Sequence, residues 1–238
     1  MSPYRYDDEF PPLFSATEDG LLLVGGRLTP ARVLAAYRQG IFPWPIVERG
    51  YELLAWFSPD PRAVIGLDRL YVSRRLARRV RSGHFHVTCD RAFDRVIAGC
   101  AAPRATDSGT WITAGILRVY SQLHASGHAH SVEVWRDDVL AGGLYGIALG
   151  GFFAGESMFH CARDASNVAL VALVAHLRAR GFVLFDVQQA TAHAMRMGAT
   201  EIRRAQFVAR LRAALELPVT FGAALDLSLL PQVLRRGN

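Results

Sequence analysis

The sequence predicts an α+β chain with a small N-terminal α/β domain over residues 1–62 and a larger domain over 63–238. First, residues 129–159 read as three strands: an alternating run, a turn at Asp137–Asp138, then glycine-rich extended segments. Second, this meander lies between two stretches with apolar residues at helical spacing, 112–127 and 166–181, and a further strand follows at 182–189. Third, Pro59 and Pro61 break "ELLAWFSPDPRAVIGL" into two short extended pieces, which puts a boundary near residue 63.

Taken in order, the chain opens with a glycine-bounded apolar run at 20–26. Thr29 then suits an N-cap and Pro30 the first helical position; the helix is predicted to end near Gln39, with Gly40 as its stop. "SRRLARRVRSG" (73–83) is predicted to be a short basic helix. Gly127 stops the next helix, and the strongly apolar helix 166–181 is assigned Ser166 as cap and Gly181 as stop. "FVLFDVQQ" reads as a strand, "TAHAMRMG" as a short helix and "RRAQFVARLRAAL" as a final amphipathic helix. A helix, a three-stranded meander, a helix and a strand, in that order, resemble a GNAT-type acyltransferase sheet.

With 238 residues, 51% of them hydrophobic, the chain can bury one sizeable core or two modest ones. No window approaches the roughly 20 apolar residues of a membrane span, and the charged, proline-rich start has no signal-peptide core. Three cysteines (Cys89, Cys100, Cys161) without CxxC spacing argue against a disulfide scaffold and for a reducing compartment. The expectation is a cytoplasmic protein away from membranes. All 27 basic residues are arginine, so Schiff-base chemistry and a catalytic lysine are excluded. A net charge of +6 points weakly to an anionic partner.

Two strands carry polar residues where apolar ones belong. "GFFAGESMFH" places Glu156 inside an otherwise buried run, and burying an unpaired polar group costs on the order of 2–7 kcal/mol. In "FVLFDVQQ", period-two alternation sets Val183, Phe185 and Val187 on one face and Leu184, Asp186 and Gln188 on the other. Each carboxylate alone reads as a structural group paired with an arginine or with backbone N–H groups. Together they favour a site for proton relay or for holding an ammonium group.

Other patterns carry less. His128 and His130 share a strand face, but no third ligand accompanies them, so a hydrogen-bonded strand is expected rather than a metal site. No GxGxxG opens a helix, no P-loop, GxSxG or HExxH occurs, and Ser157 has no neighbouring base. Arg74, Arg78 and Arg81 form one helical stripe with Arg75 and Arg79 beside it. That is either a solvated basic face or a phosphate-binding one. Trp44 and Trp111, in the tight motifs "GIFPW" and "GTWI", either pack in the core or stack a nucleobase.

"GIFPW", "WFSPDPRAV", "GTWIT", "GHAHSVEVW", "GGLYG", "GESMF" and the run from Asp186–Val187–Gln188 through His193 and Gly198 occur in this order. In this the chain resembles leucyl/phenylalanyl-tRNA–protein transferases, from about Gly20 to Leu215. The resemblance implies transfer of Leu or Phe, and Met, from aminoacyl-tRNA to the N-terminal Arg or Lys of an acceptor protein, feeding N-degron degradation. It also implies a GNAT-like catalytic domain with no cofactor or metal; a monomer is expected. Asp186 would draw the proton as the amine attacks, directly or through Gln188, and Glu156 would hold a substrate ammonium. Leu144, Phe153, Gly155, Leu170 and Phe185 would line the aminoacyl side-chain pocket. Trp44 and Trp111 would meet the terminal adenosine, and Arg74, Arg75, Arg78, Arg79 and Arg81 the tRNA backbone. Arg27, Leu144 and Arg196 depart from the family's commoner residues. Two rival readings are an acyl-CoA N-acyltransferase, whose usual Q/RxxGxG/A loop is missing here, and a catalytically silent tRNA-binding protein.

Overall fold

The computed structural model describes residues 9–48, 51–103 and 110–235. Gly109 of "GTWIT" and the two ends of the expected domains, 1–8 and 236–238, lie outside the described residues.

The N-terminal part places β1 (Leu21–Val24) before α1 (Pro30–Arg38), and the Thr29 hydroxyl caps this helix by accepting from the Arg32 N–H over 3.2 Å. Gly40 follows with φ +80°, the left-handed geometry of a helix stop. The chain then runs through β2 (Phe42–Pro43), the hairpin β3 (Ile46–Glu48) and β4 (Tyr51–Leu53), β5 (Ala55–Phe57) and β6 (Arg62–Ile65). Strands β1, β5 and β2 form a small antiparallel sheet in that order.

Beyond β6 come α2 (Arg74–Arg81), β7 (His86–Cys89), α3 (Phe93–Ala101), α4 (Ala114–Ala125), β8 (Ala129–Arg136), β9 (Val139–Leu149) and β10 (Phe152–His160). They are followed by α5 (Ala165–Arg180), β11 (Leu184–Gln188), α6 (Ala192–Arg196), β12 (Ala199–Ile202), α7 (Arg204–Leu215) and α8 (Leu230–Val233). A seven-stranded sheet runs β12-β6-β11-β10-β9-β8-β7. Its pairings are antiparallel except β10 with β11, which α5 joins by a crossover.

Each sheet face buries one core. On the α5 side lie Leu144, Phe153, Leu170, Phe185 and Phe221. On the other side Tyr37, Ile116, Tyr120, Tyr145, Phe152 and Phe207 pack with α1, α3, α4 and α7. Several elements went unforeseen, among them β2, β3, β7, α3, β12 and α8. In α3 the mid-helix Gly99 hides the pattern, and packing explains it, because a Cβ there would meet the Phe159 ring at 2.7 Å.

One expectation is corrected. Ser166 does not cap α5; it is buried inside the first turn, and Asp164, with φ 73°, precedes the helix. The Asp164 carboxylate faces Arg75 at 3.0 Å and Arg79 at 3.9 Å instead of the helix's own N–H groups. No helix among the described residues is long and apolar enough to cross a membrane.

Candidate active site

Strands β10 and β11 run side by side through Phe152–Leu184, Phe153–Phe185 and Ala154–Asp186. There both ladders slip: β10 against β9 between Gly155 and Ser157, and β11 against β6 between Asp186 and Gln188. An extra residue bends a strand and re-aims the side chains beside it. The two strands pair no further than Ala154–Asp186, and Glu156 and Gln188 lie just past that point, one on each strand.

Glu156 is half-buried and has two tyrosine partners. Tyr37 donates its hydroxyl to Oε1 over 2.6 Å and Tyr120 donates to Oε2 over 3.2 Å, while the two hydroxyls are 2.8 Å apart. Burial pushes Glu156 up to about 7; the Tyr37 and Tyr120 hydrogen bonds and Arg62 pull the other way, while Asp186 adds to the rise. Burial and the nearby carboxylate hold both tyrosines well above their ordinary range, so they stay protonated donors. Two hydroxyl protons serve three oxygen–oxygen contacts, so with Glu156 ionised only two of the three are hydrogen bonds at any moment. Tyr145 packs edge-on against Tyr120 at 5.7 Å, and among the described residues its buried hydroxyl has no hydrogen-bond partner.

Asp186 is fully buried, and its carboxylate is already engaged. Arg62 donates from Nε to Oδ1 over 2.9 Å and from Nη2 to Oδ2 over 2.7 Å, a bidentate pair with side chains 1% and 0% exposed. Oδ1 also accepts the backbone N–H of Gln188 over 3.0 Å. Arg62 donates from Nη1 to the Gly40 carbonyl over 3.0 Å, and its guanidinium lies between the rings of Phe42 (4.7 Å) and Phe207 (4.6 Å). The expectation of plain alternation from Asp186 to Gln188 fails at this point. Gln188 has φ 57°, on the far side of the register slip, and its buried Nε2 has no partner among the described residues. A non-glycine residue held there costs about 1–3 kcal/mol and marks a place where surrounding structure dictates the backbone.

The five expected pocket residues lie on neighbouring elements of the sheet and α5. Leu144, Phe153, Leu170 and Phe185 belong to the α5-side core, and a Cβ at Gly155 would stand 3.0 Å from the Phe185 ring. Trp44 and Trp111 are brought together as a stacked pair, 5.1 Å between centroids and 23° between planes. On α2, Arg74, Arg75, Arg78 and Arg81 are exposed and Arg79 is half-buried. Arg75 and Arg79 face Asp164, and Arg81 reaches the Leu234 carbonyl at 3.5 Å.

His130 pairs through Nδ1 with Asp90 at 2.7 Å and stacks on Phe221. Among the described residues no group of three or more His, Cys, Asp or Glu is placed to hold a metal ion. None of the three cysteines is in a disulfide among the described residues, and burial pushes Cys89 up to about 12. Sequence reasoning missed Tyr37, Tyr120 and Arg62. The one available signal was Arg62 itself, a charge opening the apolar strand "RAVI".

Hydrogen-bonding groups gathered where two parallel strands stop pairing form a site that can hold and orient polar reactants. The comparisons are more specific. The family model described as leucyl/phenylalanyl-tRNA protein transferase matches residues 64–212, and the model of that family's N-terminal domain matches 26–60. Relatives called leucyl/phenylalanyl-tRNA–protein transferase include one from Syntrophotalea carbinolica, 50% identical over 89% of this chain and 92% of its own length. Another, from Stutzerimonas stutzeri, is 51% identical over 90% of this chain and 94% of its own. The chain belongs to the leucyl/phenylalanyl-tRNA protein transferase family. Among solved structures, L-PGS from Bacillus licheniformis aligns at TM-score 0.39 and 10% identity, over 67% of this chain and 50% of that one.

Proposed function

We propose that this protein moves a leucyl or phenylalanyl group, and methionyl with them, from aminoacyl-tRNA to the N-terminal amine of an acceptor protein beginning with Arg or Lys. The observation that carries this reading, beside family membership, is Glu156 clasped by two tyrosine hydroxyls next to the clamped Asp186–Gln188 pair.

The tRNA ester is already activated, and an α-amine with an ordinary pKa near 7.7–8.0 is partly neutral at pH 7. Its nitrogen attacks the ester carbonyl, a C–N bond forms and the C–O bond to the ribose breaks. The nitrogen gives up one proton and the ribose oxygen gains one. Glu156, in its ionised form, holds the ammonium of the aminoacyl group; the ammonium's charge favours that form. The Gln188 amide carbonyl accepts from the attacking amine and aims it. Asp186 serves as the fixed orienter of Gln188, since its oxygens are occupied by Arg62 and the Gln188 N–H. No step draws on a cofactor.

Leu144, Phe153, Gly155, Leu170 and Phe185 form the apolar side-chain pocket. Trp44 and Trp111 take the terminal adenosine, and Arg74, Arg75, Arg78, Arg79 and Arg81 take backbone phosphates. Residues 1–62 and 63–238 act as two domains, the second GNAT-like. Support for that likeness is the antiparallel meander β8-β9-β10 followed by a crossover to a parallel strand that parts from it. The protein works as a cytoplasmic monomer supplying the N-degron route.

The test is transfer of labelled leucine from Leu-tRNA to a peptide beginning with arginine. Transfer that vanishes with an N-acetylated peptide and with Asp186→Ala supports the reading. No transfer from correctly charged tRNA overturns it, and transfer from leucyl-CoA favours an acyl-CoA enzyme.

A further inference from the structure

We propose that Arg62 is a positioning residue that sets the rate of acyl transfer through Gln188, without touching either substrate; this rests on the reaction proposed above. Its planar group has a single arrangement available. Two N–H groups are committed to Asp186, a third to the Gly40 carbonyl, and both faces are covered by Phe42 and Phe207. Asp186, so held, accepts the Gln188 N–H and keeps that residue at φ 57° beyond the register slip. The Gln188 side chain, whose buried amide nitrogen has no hydrogen-bond partner among the described residues, thereby springs from a fixed stretch of backbone.

Three stretches of chain meet on this one group at the start of β6: Gly40 with β2, Asp186 of β11, and Phe207 of α7. A lysine offers the charge but neither the fork nor the flat faces. Trp44 meets the Phe42 ring edge-on at 6.4 Å, but it is also held by its backbone N–H to the Ala55 carbonyl at 2.8 Å and by stacking on Trp111, contacts in which Arg62 takes no part. Removing the clamp therefore acts on turnover rather than on capture of the tRNA end.

The experiment measures kcat and KM for transfer from Leu-tRNA to an arginyl peptide with wild type, Arg62→Lys, Gln188→Ala and the double variant, with thermal unfolding beside each. A misplacement of about 1 Å is worth about 100-fold in rate, so Arg62→Lys is expected to lower kcat by about that factor with KM held within about 3-fold. In the Gln188→Ala background the same change is expected to lower kcat less than about 3-fold. Multiplying losses, or a raised KM with unchanged kcat, overturns the proposal. Should Arg62→Lys fail to fold, Phe207→Leu decides: it opens one face of the guanidinium and leaves the ion pair. Its expected kcat loss is about 5-fold, again absent in the Gln188→Ala background, and a loss that persists there overturns the proposal. A wild type that transfers nothing from charged tRNA defeats the reaction itself, an outcome separate from these ratios.

Discussion

Tyr37 in α1 donates its hydroxyl to Glu156 in β10 over 2.6 Å, joining residues 119 positions apart. The bond favours the ionised carboxylate and is the largest influence opposing burial at Glu156. Tyr37→Phe is therefore expected to raise the proton affinity of Glu156 above its present value near 7. The acid limb of kcat/KM plotted against pH should move upward by up to about 1 unit, so the deficit is larger at pH 6.5 than at pH 8.5. An unmoved limb would mean that Glu156 does not govern it.

The same carboxyl should shape stability. Its folded value near 7 lies above the ordinary 4.5, so the folded state binds the extra proton between those limits. Its contribution is present below about pH 4.5 and is lost as pH rises through 7. Glu156→Gln removes this dependence. Urea unfolding is expected to find the variant more stable than wild type by about 1–2 kcal/mol at pH 8, with the difference shrinking toward pH 5.

Gly155 sits close against another member of the proposed side-chain pocket, with the Phe185 ring 3.0 Å from a Cβ built there. Gly155→Ala is expected to lower kcat/KM for Phe-tRNA about 10-fold more than for Leu-tRNA, because the larger side chain loses more of the shared space. Competition between the two charged tRNAs measures the ratio directly.

The Trp44–Trp111 pair offers a stacking surface. Replacing either with alanine is expected to raise KM for an aminoacyl-adenosine minimal substrate about 10-fold or more, since base stacking on an aromatic ring is worth about 1–3 kcal/mol. The kcat should change little.

Arg78 is exposed on α2, whereas Arg75 is engaged by Asp164. Arg78→Ala is expected to weaken tRNA binding and to reduce the slope of log K against log salt by about 1. Equilibrium binding of uncharged tRNA across a salt series checks it, and an unchanged slope removes this arginine from the phosphate contacts.

Helices marked by their own caps were legible without a structure. Thr29 and Gly40 bracket α1, and Gly181 ends α5, because caps and stops are written within a few residues of the bonds they make. The meander β8-β9-β10 was legible for the same local reason. Glu156 and Asp186 stood out because an ionisable group in an apolar run is conspicuous wherever it lies.

Partners were another matter. Tyr37 and Tyr120 look like ordinary apolar-face helix residues, and Arg62 like one more arginine, until folding carries them to carboxylates 119, 36 and 124 positions away. Period-two alternation likewise cannot register the slip after Asp186, since that depends on the neighbouring strand β6. The sequence alone determined the capped helices, the three-stranded meander and which charges are anomalous, all matters of local propensity and solvation. Only the tertiary structure decided how those charges are satisfied, because hydrogen-bond partners are chosen by distance in space and not along the chain.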